Sequence, residues 1–139
     1  MIHIINVTIL LLLMAGFAIA SPINNTDAVK AIIGEAEGEP YQGKVALAYA
    51  LINRGTLKGV YGHNAVIQSK DGRLYRKNGR LISEKVQRDA LKAWHYAKAN
   101  PSKDITLGAD HWEGTAFKKP YWANGMTETI TIGNQRFYK

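Results

Sequence analysis

Past an amino-terminal apolar run, hydrophobic side chains first fall into register at Val29, Ile32, Ile33 and Ala36. That i, i+3, i+4, i+7 spacing predicts a helix with one face in a core. Thr26 or Asp27 offers the capping oxygen, and the helix should run to about Ala36 or Glu37. Ser21 to Asn25, polar with Pro22, reads as a short tether. Gly38 and Pro40 break the pattern, and Tyr41 to Arg54 resumes it with Val45 to Ile52 almost free of polar relief. An element apolar all round is buried all round, so this second helix is expected at the centre, with Gly55 as its stop. A third helix, Glu84 to Ala99 with Ser83 as cap, buries Val86, Ala90, Ala93, Trp94 and Ala97 and turns Lys85, Arg88, Lys92 and Lys98 outward. Asn100-Pro101 ends it. Between the last two helices, Asp71-Gly72 and Asn78-Gly79 predict a small hairpin or paired turns around Leu74 and Tyr75. Ile105 to Leu107 reads as a short strand. Thr127 to Ile132 and Gln135 to Tyr138, joined by Gly133-Asn134, predict a hairpin with a type II′ turn. The class is α+β: three main helices and a carboxyl-terminal β-hairpin in one domain, 21–139.

Residues 1–20 stand apart. Ile9 to Met14 are wholly apolar, and Ala18-Ile19-Ala20 places small residues where a signal peptidase cuts, so a secretory signal peptide ending at Ala20 is expected. His3 is the one basic residue ahead of the apolar run, where Lys or Arg is usual, and an uncleaved anchor is the alternative. The net charge is +7 and belongs to the rest of the chain, because residues 1–20 contain no Lys, Arg, Asp or Glu. A cationic exported domain suits an anionic partner such as a cell wall. The basic stretch Lys70 to Arg80 and the outer face of the third helix are the candidates for that contact. With no cysteine, the protein has neither disulfides nor thiolate chemistry.

Candidate chemistry concentrates in Gly34-Glu35-Ala36-Glu37-Gly38-Glu39-Pro40. Glu35 borders the apolar stripe of the first helix, and half-desolvation there disfavours the charged form, the tuning that a general acid near neutral pH requires. Glu37 falls across the helix and is expected in solvent. Glu39 can cap the second helix or pair with Lys44. Glu35 and Glu39 cannot act as the two carboxylates of a glycosidase, which flank the scissile bond roughly 5 to 9.5 Å apart, because side chains at i and i+4 project into the same space. A second carboxylate would come from Asp110 or Glu113. Asp110-His111-Trp112-Glu113 lacks the spaced partners of a metal site, so no metal and no cofactor is expected. Trp112, Phe117, Tyr121 and Trp122 are either a platform for the apolar faces of sugars or a satellite core. No phosphate-cradling loop or zinc-finger spacing supports nucleic acid.

Four stretches carry a resemblance: EAxGEPYxGKVAxAxxxxNR between Glu35 and Arg54, GAxHxE from Gly108 to Glu113, PxWA from Pro120 to Ala123, and the terminal IGxxxFYK. Together they resemble the SleB-type cell wall hydrolases, the spore-cortex-lytic enzymes and their relatives. The resemblance implies a lysozyme-like fold close to that of lytic transglycosylases, with one essential glutamate, matching Glu35. It implies cleavage of peptidoglycan glycan strands: the glutamate protonates the glycosidic oxygen, then helps the muramyl 6-hydroxyl attack, giving a 1,6-anhydro end. Glu39, His111, Trp112, Glu113, Tyr121 and Trp122 become possible substrate-binding or supporting residues, with His111 holding substrate or orienting Glu35. Gln135 stands where many relatives have histidine. The expected protein is a monomer, secreted, periplasmic or wall-associated. Alternatives are a muramidase or amidase acting on the same wall, or a cationic wall-binding module without turnover.

Overall fold

The computed structural model describes residues 21–139, and the signal-peptide reading of residues 1–20 lies outside them. The first helix, α1 (Asn25–Ala36), starts earlier than Thr26 or Asp27 because Asn24 is the cap. The Asn24 side-chain oxygen accepts the Asp27 N–H at 2.8 Å. The Asp27 carboxylate accepts the Asn24 side-chain amide on one oxygen at 3.0 Å and lies 3.1 Å from His63 Nε2 with the other.

Helix α2 (Tyr41–Arg54) is the centre, as its composition requires. Val45 to Leu51 are all buried, Gly55 closes the helix in the left-handed region at φ 72°, and its N–H returns to the Leu51 carbonyl. The helix has two apolar surroundings. Leu47, Ala48 and Leu51 join α1 and α3 (Glu84–Ala99) in the main core, while Ala46 and Ala50 meet Ala109 and Phe137 on the opposite side. Ser83 caps α3 by accepting the Val86 N–H. Ala90, Ala93 and Ala97 are fully buried and let α3 approach closely. Trp94 is core, as expected, and its indole N–H donates to Asn25 at the start of α1.

Two antiparallel sheets complete the domain. Strands β1 (Val66–Gln68) and β2 (Leu74–Arg76) form the small basic hairpin, turning at Asp71-Gly72. Strands β3 (His111–Gly114), β4 (Glu128–Ile132) and β5 (Gln135–Tyr138) form a sheet in the order β3-β5-β4. The β4–β5 turn has Gly133 at φ 57°, the sign a type II′ turn demands of its first central residue. The terminal hairpin is therefore two-thirds of a three-stranded sheet, since β3 pairs along β5 from His111↔Tyr138 to Gly114↔Gln135. Ile105 to Leu107 is not a strand. The Asp104 carboxylate gathers the N–H groups of Thr106 and Gly108 and the Thr106 hydroxyl, folding these residues into a turn with Leu107 at φ 57°. Local capture of backbone donors by an aspartate outcompetes the β propensity of a three-residue run.

The end of α1 is fastened by cations. Lys44, 4% exposed, donates through Nζ to the carbonyls of Glu37 and Glu39, and Arg76 donates to those of Ile33 and Gly34. The Ile33 and Gly34 carbonyls are among those that the end of α1 leaves without intrahelical partners, and Lys44 satisfies the chain just beyond it. Burial pushes the Lys44 ammonium below its ordinary value.

Glu37 is not solvated. Its side chain is 16% exposed, Arg80 grips both oxygens at 2.8 Å and Arg76 shares one of them. The end of β2 and the turn after it bring these two arginines against the helix end, a long-range pairing invisible to helical spacing. Hydrogen bonds from Arg80, opposed by burial and joined by Arg76, hold the Glu37 carboxyl at about 2 against an ordinary 4.5. A lowered folded value contributes stability that is complete above pH 4.5 and lost as pH falls through about 2. Direct conversion of the shift gives about 3 kcal/mol, and the half-exposed Arg80 reduces it to about 2. The thermal midpoint should therefore fall between pH 4.5 and 2 in wild type, and that fall should shrink in Glu37→Gln. An unchanged acid limb in the variant would assign it to other carboxylates. The pairing also alters the picture of a basic anchor: Arg73 meets Asp71, and Arg76 and Arg80 meet Glu37, leaving Lys70 and Lys77 as the exposed unpaired cations of that stretch.

Candidate active site

Glu35 lies in the last turn of α1, on the border between buried and exposed positions. Both carboxylate oxygens are held. Oε1 accepts the backbone N–H of Gly62 at 2.8 Å, and Oε2 accepts the indole N–H of Trp112 at 3.3 Å. The Glu35 backbone carbonyl accepts the side-chain amide of Gln135 at 2.7 Å. A turn after α2, a residue of β3 and a residue of β5 thus converge on one glutamate.

Two glycines make the first contact possible. A Cβ on Gly34 would sit 1.8 Å from the Gly62 carbonyl oxygen, and one on Gly62 would sit 2.7 Å from Glu35 Cγ and 2.8 Å from Glu35 N. Only bare backbone allows the 61–65 turn to lie so close to α1.

Glu35 opens into a cleft of about 360 Å³ together with Arg54, Gly59, Tyr61, His111, Trp112 and Trp122. Arg54 does not reach into open space: its guanidinium donates to the carbonyls of Lys58 and Asp110 and lies 5.8 Å from the Trp112 ring centre. It thereby fixes the indole that fixes Glu35. His111 Nδ1 is 2.8 Å from Asp110 Oδ1, and its ring packs on Trp122 with centroids 5.4 Å apart. Trp122 in turn stands edge-on to Tyr138 at 5.6 Å. Tyr61 is 82% exposed at the rim.

Of the residues singled out from the sequence, Glu35, His111, Trp112 and Trp122 share this cleft, while Glu39, Glu113 and Tyr121 do not line it. The Glu39 carboxylate neither caps α2 nor pairs with Lys44, which takes the Glu39 backbone carbonyl instead. Pro40 occupies the cap position, and Glu39 Oε1 accepts the Asn134 N–H at 3.0 Å, beside Gly133 in the terminal hairpin. The helix break at Gly38 turns the glutamate toward that hairpin. Glu113 sits on β3 opposite Arg136, with one carboxylate oxygen buried and unpartnered among the described residues. Tyr121 is 85% exposed. Orientation of Glu35 falls to Gly62 and Trp112, for His111 has Asp110 as its partner. Gly62, Arg54, Tyr61 and Gln135 were not readable as site residues from spacing. Arg54 carries a signal only as a member of a matching motif, and Gln135 only as the position where many relatives have histidine.

A larger groove of about 580 Å³ runs between the start of α1, the β1–β2 hairpin and α3, lined among others by Val29, Leu74, Leu91 and His95. Its size is not matched by chemistry. Its one carboxylate, Glu84, lies in the exposed first turn of α3, whereas the smaller cleft converges backbone and indole donors on Glu35.

No family model matches the chain, and no curated protein matches it. Its structure is similar to the catalytic domain of the Bacillus cereus SleB protein, at 24% identity and a TM-score of 0.52 over 86% of this chain and 93% of that one. It is also similar to the catalytic domain of the germination-specific lytic transglycosylase SleB from Bacillus anthracis, at 22% identity and a TM-score of 0.53 over 86% of this chain and 97% of that one. The α+β arrangement of three helices and small antiparallel sheets is the fold of these two domains. Among the described residues no helix is long and apolar enough to cross a membrane.

Proposed function

We propose that this protein is an exported enzyme that cleaves the glycan strands of peptidoglycan as a lytic transglycosylase, with residues 1–20 removed on export and Glu35 as acid and base. The observation that carries the reading is the Glu35 carboxylate, gripped by Gly62 and Trp112 in a cleft with aromatic walls. It occupies the position that the sequence motifs give to the essential glutamate, on a fold shared with two SleB catalytic domains. Trp122 and Tyr61 offer flat apolar surface to the CH faces of sugars, and the net positive charge favours residence on an anionic wall. Glu35 protonates the oxygen leaving C1 of the muramyl residue. The 6-hydroxyl of the same sugar closes on C1, so no water enters the product.

Mass analysis of muropeptides from purified sacculi tests this. The expected products carry anhydro ends, lighter by one water than hydrolysed ones. Reducible, fully hydrated ends would make the protein a muramidase, release of peptides with intact glycan an amidase, and binding without any product a wall-binding module.

A further inference from the structure

The loop between β3 and the short helical turn Tyr121–Gly125 starts and ends in the cleft wall, leaving it at His111 and Trp112 and returning to it at Trp122. Between those points it carries its largest side chains into solvent. Phe117 is 68% exposed and Tyr121 more so, with Lys118 and Lys119 exposed between them. The loop is not slack. Arg136 of β5 donates from Nη2 to the Phe117 carbonyl at 2.6 Å and to the Gly114 carbonyl at 3.4 Å, while the Phe117 N–H closes a turn on Gly114 at 3.2 Å. The Phe117 ring lies over Gly114, 3.3 Å from where a Cβ would stand, and the Thr115 N–H ties the loop to the Asn134 carbonyl at 2.8 Å. Two aromatic rings held in water on a fastened backbone forgo burial, and a surface fixed in advance loses little freedom when a partner covers it. The charge is equally one-sided. Residues 114–127 contain two lysines and no carboxylate, and neither lysine has an ion-pair partner among the described residues.

We infer that Phe117, Lys118, Lys119 and Tyr121 form a second contact surface for the substrate, receiving the strand beyond the sugars in the cleft together with a stem peptide. The inference rests on the glycan-cleaving reading above and extends it from the reacting bond to the polymer. A strand seated in the cleft passes over its wall, and this loop is the outward continuation of that wall. Sugars present CH faces to the rings, and stem peptides present free carboxylates to the ammonium groups. A surface that interleaves both side-chain types complements a polymer that carries both chemistries. A bilayer also takes up rings flanked by lysines, but one lying on this loop would cover the mouth of the cleft that the loop borders.

The test is binding of the Glu35→Gln protein, which holds substrate without consuming it, to purified sacculi and to the same glycan stripped of its peptides by an amidase. Phe117→Ala with Tyr121→Ala, and separately Lys118→Gln with Lys119→Gln, are added to that parent, with a melting curve for each to confirm that these exposed changes leave the fold intact. The aromatic pair should weaken binding to both polymers about tenfold. The lysine pair should weaken binding to sacculi roughly three- to fivefold at low salt, and the loss should vanish at high salt and on peptide-free glycan. Restored to the active enzyme, the same pairs should raise KM more than they lower kcat. Unchanged binding in both pairs, or no binding of the parent to either polymer, would remove the surface. A lysine effect of equal size with and without peptides would remove the stem peptide from it. Parent binding to vesicles of anionic phospholipid that the aromatic pair abolishes, with binding to sacculi untouched, would assign the surface to a membrane. A wild-type digest without anhydro ends would overturn the reaction proposed above and not this surface, which the binding comparison decides separately.

Discussion

Glu35→Gln is expected to lower turnover on sacculi by roughly 10²- to 10⁴-fold or more, the usual worth of positioned acid and base assistance. Glutamine keeps the volume and one carbonyl oxygen, which can still accept the Gly62 N–H at the position Oε1 now holds. Its amide nitrogen then faces the Trp112 N–H, so the variant loses the longer and weaker of the two bonds, the 3.3 Å one. The structural penalty should stay near 1 kcal/mol. Thermal midpoint and wall binding should therefore barely change while product formation collapses. The comparison variant is Glu39→Gln, whose parent carboxylate holds Asn134 and not the cleft; it should lose little activity. Equal turnover of Glu35→Gln and wild type would remove Glu35 from the mechanism.

Gly34→Ala should give the largest stability change. The added methyl would lie 1.8 Å from the Gly62 oxygen and 2.3 Å from its carbonyl carbon, and both partners are main chain. Neither can rotate away, so the 61–65 turn must lift off α1, and with it the Gly62 N–H and the His63 contact to Asp27. Overpacking of this kind destabilises by about 3 kcal/mol. For a domain of this size the thermal midpoint should drop on the order of 10 °C. Gly38→Ala is the control: nothing lies within 4 Å of its Cβ, and its φ is not positive. A Gly34→Ala protein melting with wild type would show that the turn does not need its close seat.

The parts of the fold that sequence made legible are those set by local rhythm. Helix α2 was readable because a run that is apolar on every side has one place to go, and the β4–β5 turn because Gly133 fits a conformation few residues accept. What escaped reading depends on partners far along the chain. The solvated reading of Glu37 fails on Arg76 and Arg80, which arrive at the end of β2 and in the turn after it, with no periodic tie to α1. Strand β3 was hidden because its four residues are all only half buried and read as a polar cluster. The site divides the same way. Glu35 was visible as a carboxylate at the edge of an apolar stripe, whereas Gly62 was one glycine in a loop until its N–H was seen to meet Oε1.

The attachments of Glu35 also set an order in time. Its holders arrive at Gly62, then Trp112, then Gln135, the last 100 residues downstream. A chain emerging amino end first from a ribosome has its carboxylate long before the residues that aim it. The proposed acid therefore stays unaimed until the chain is almost fully delivered, and a nascent copy stalled short of Gln135 carries Glu35 without its complete mount.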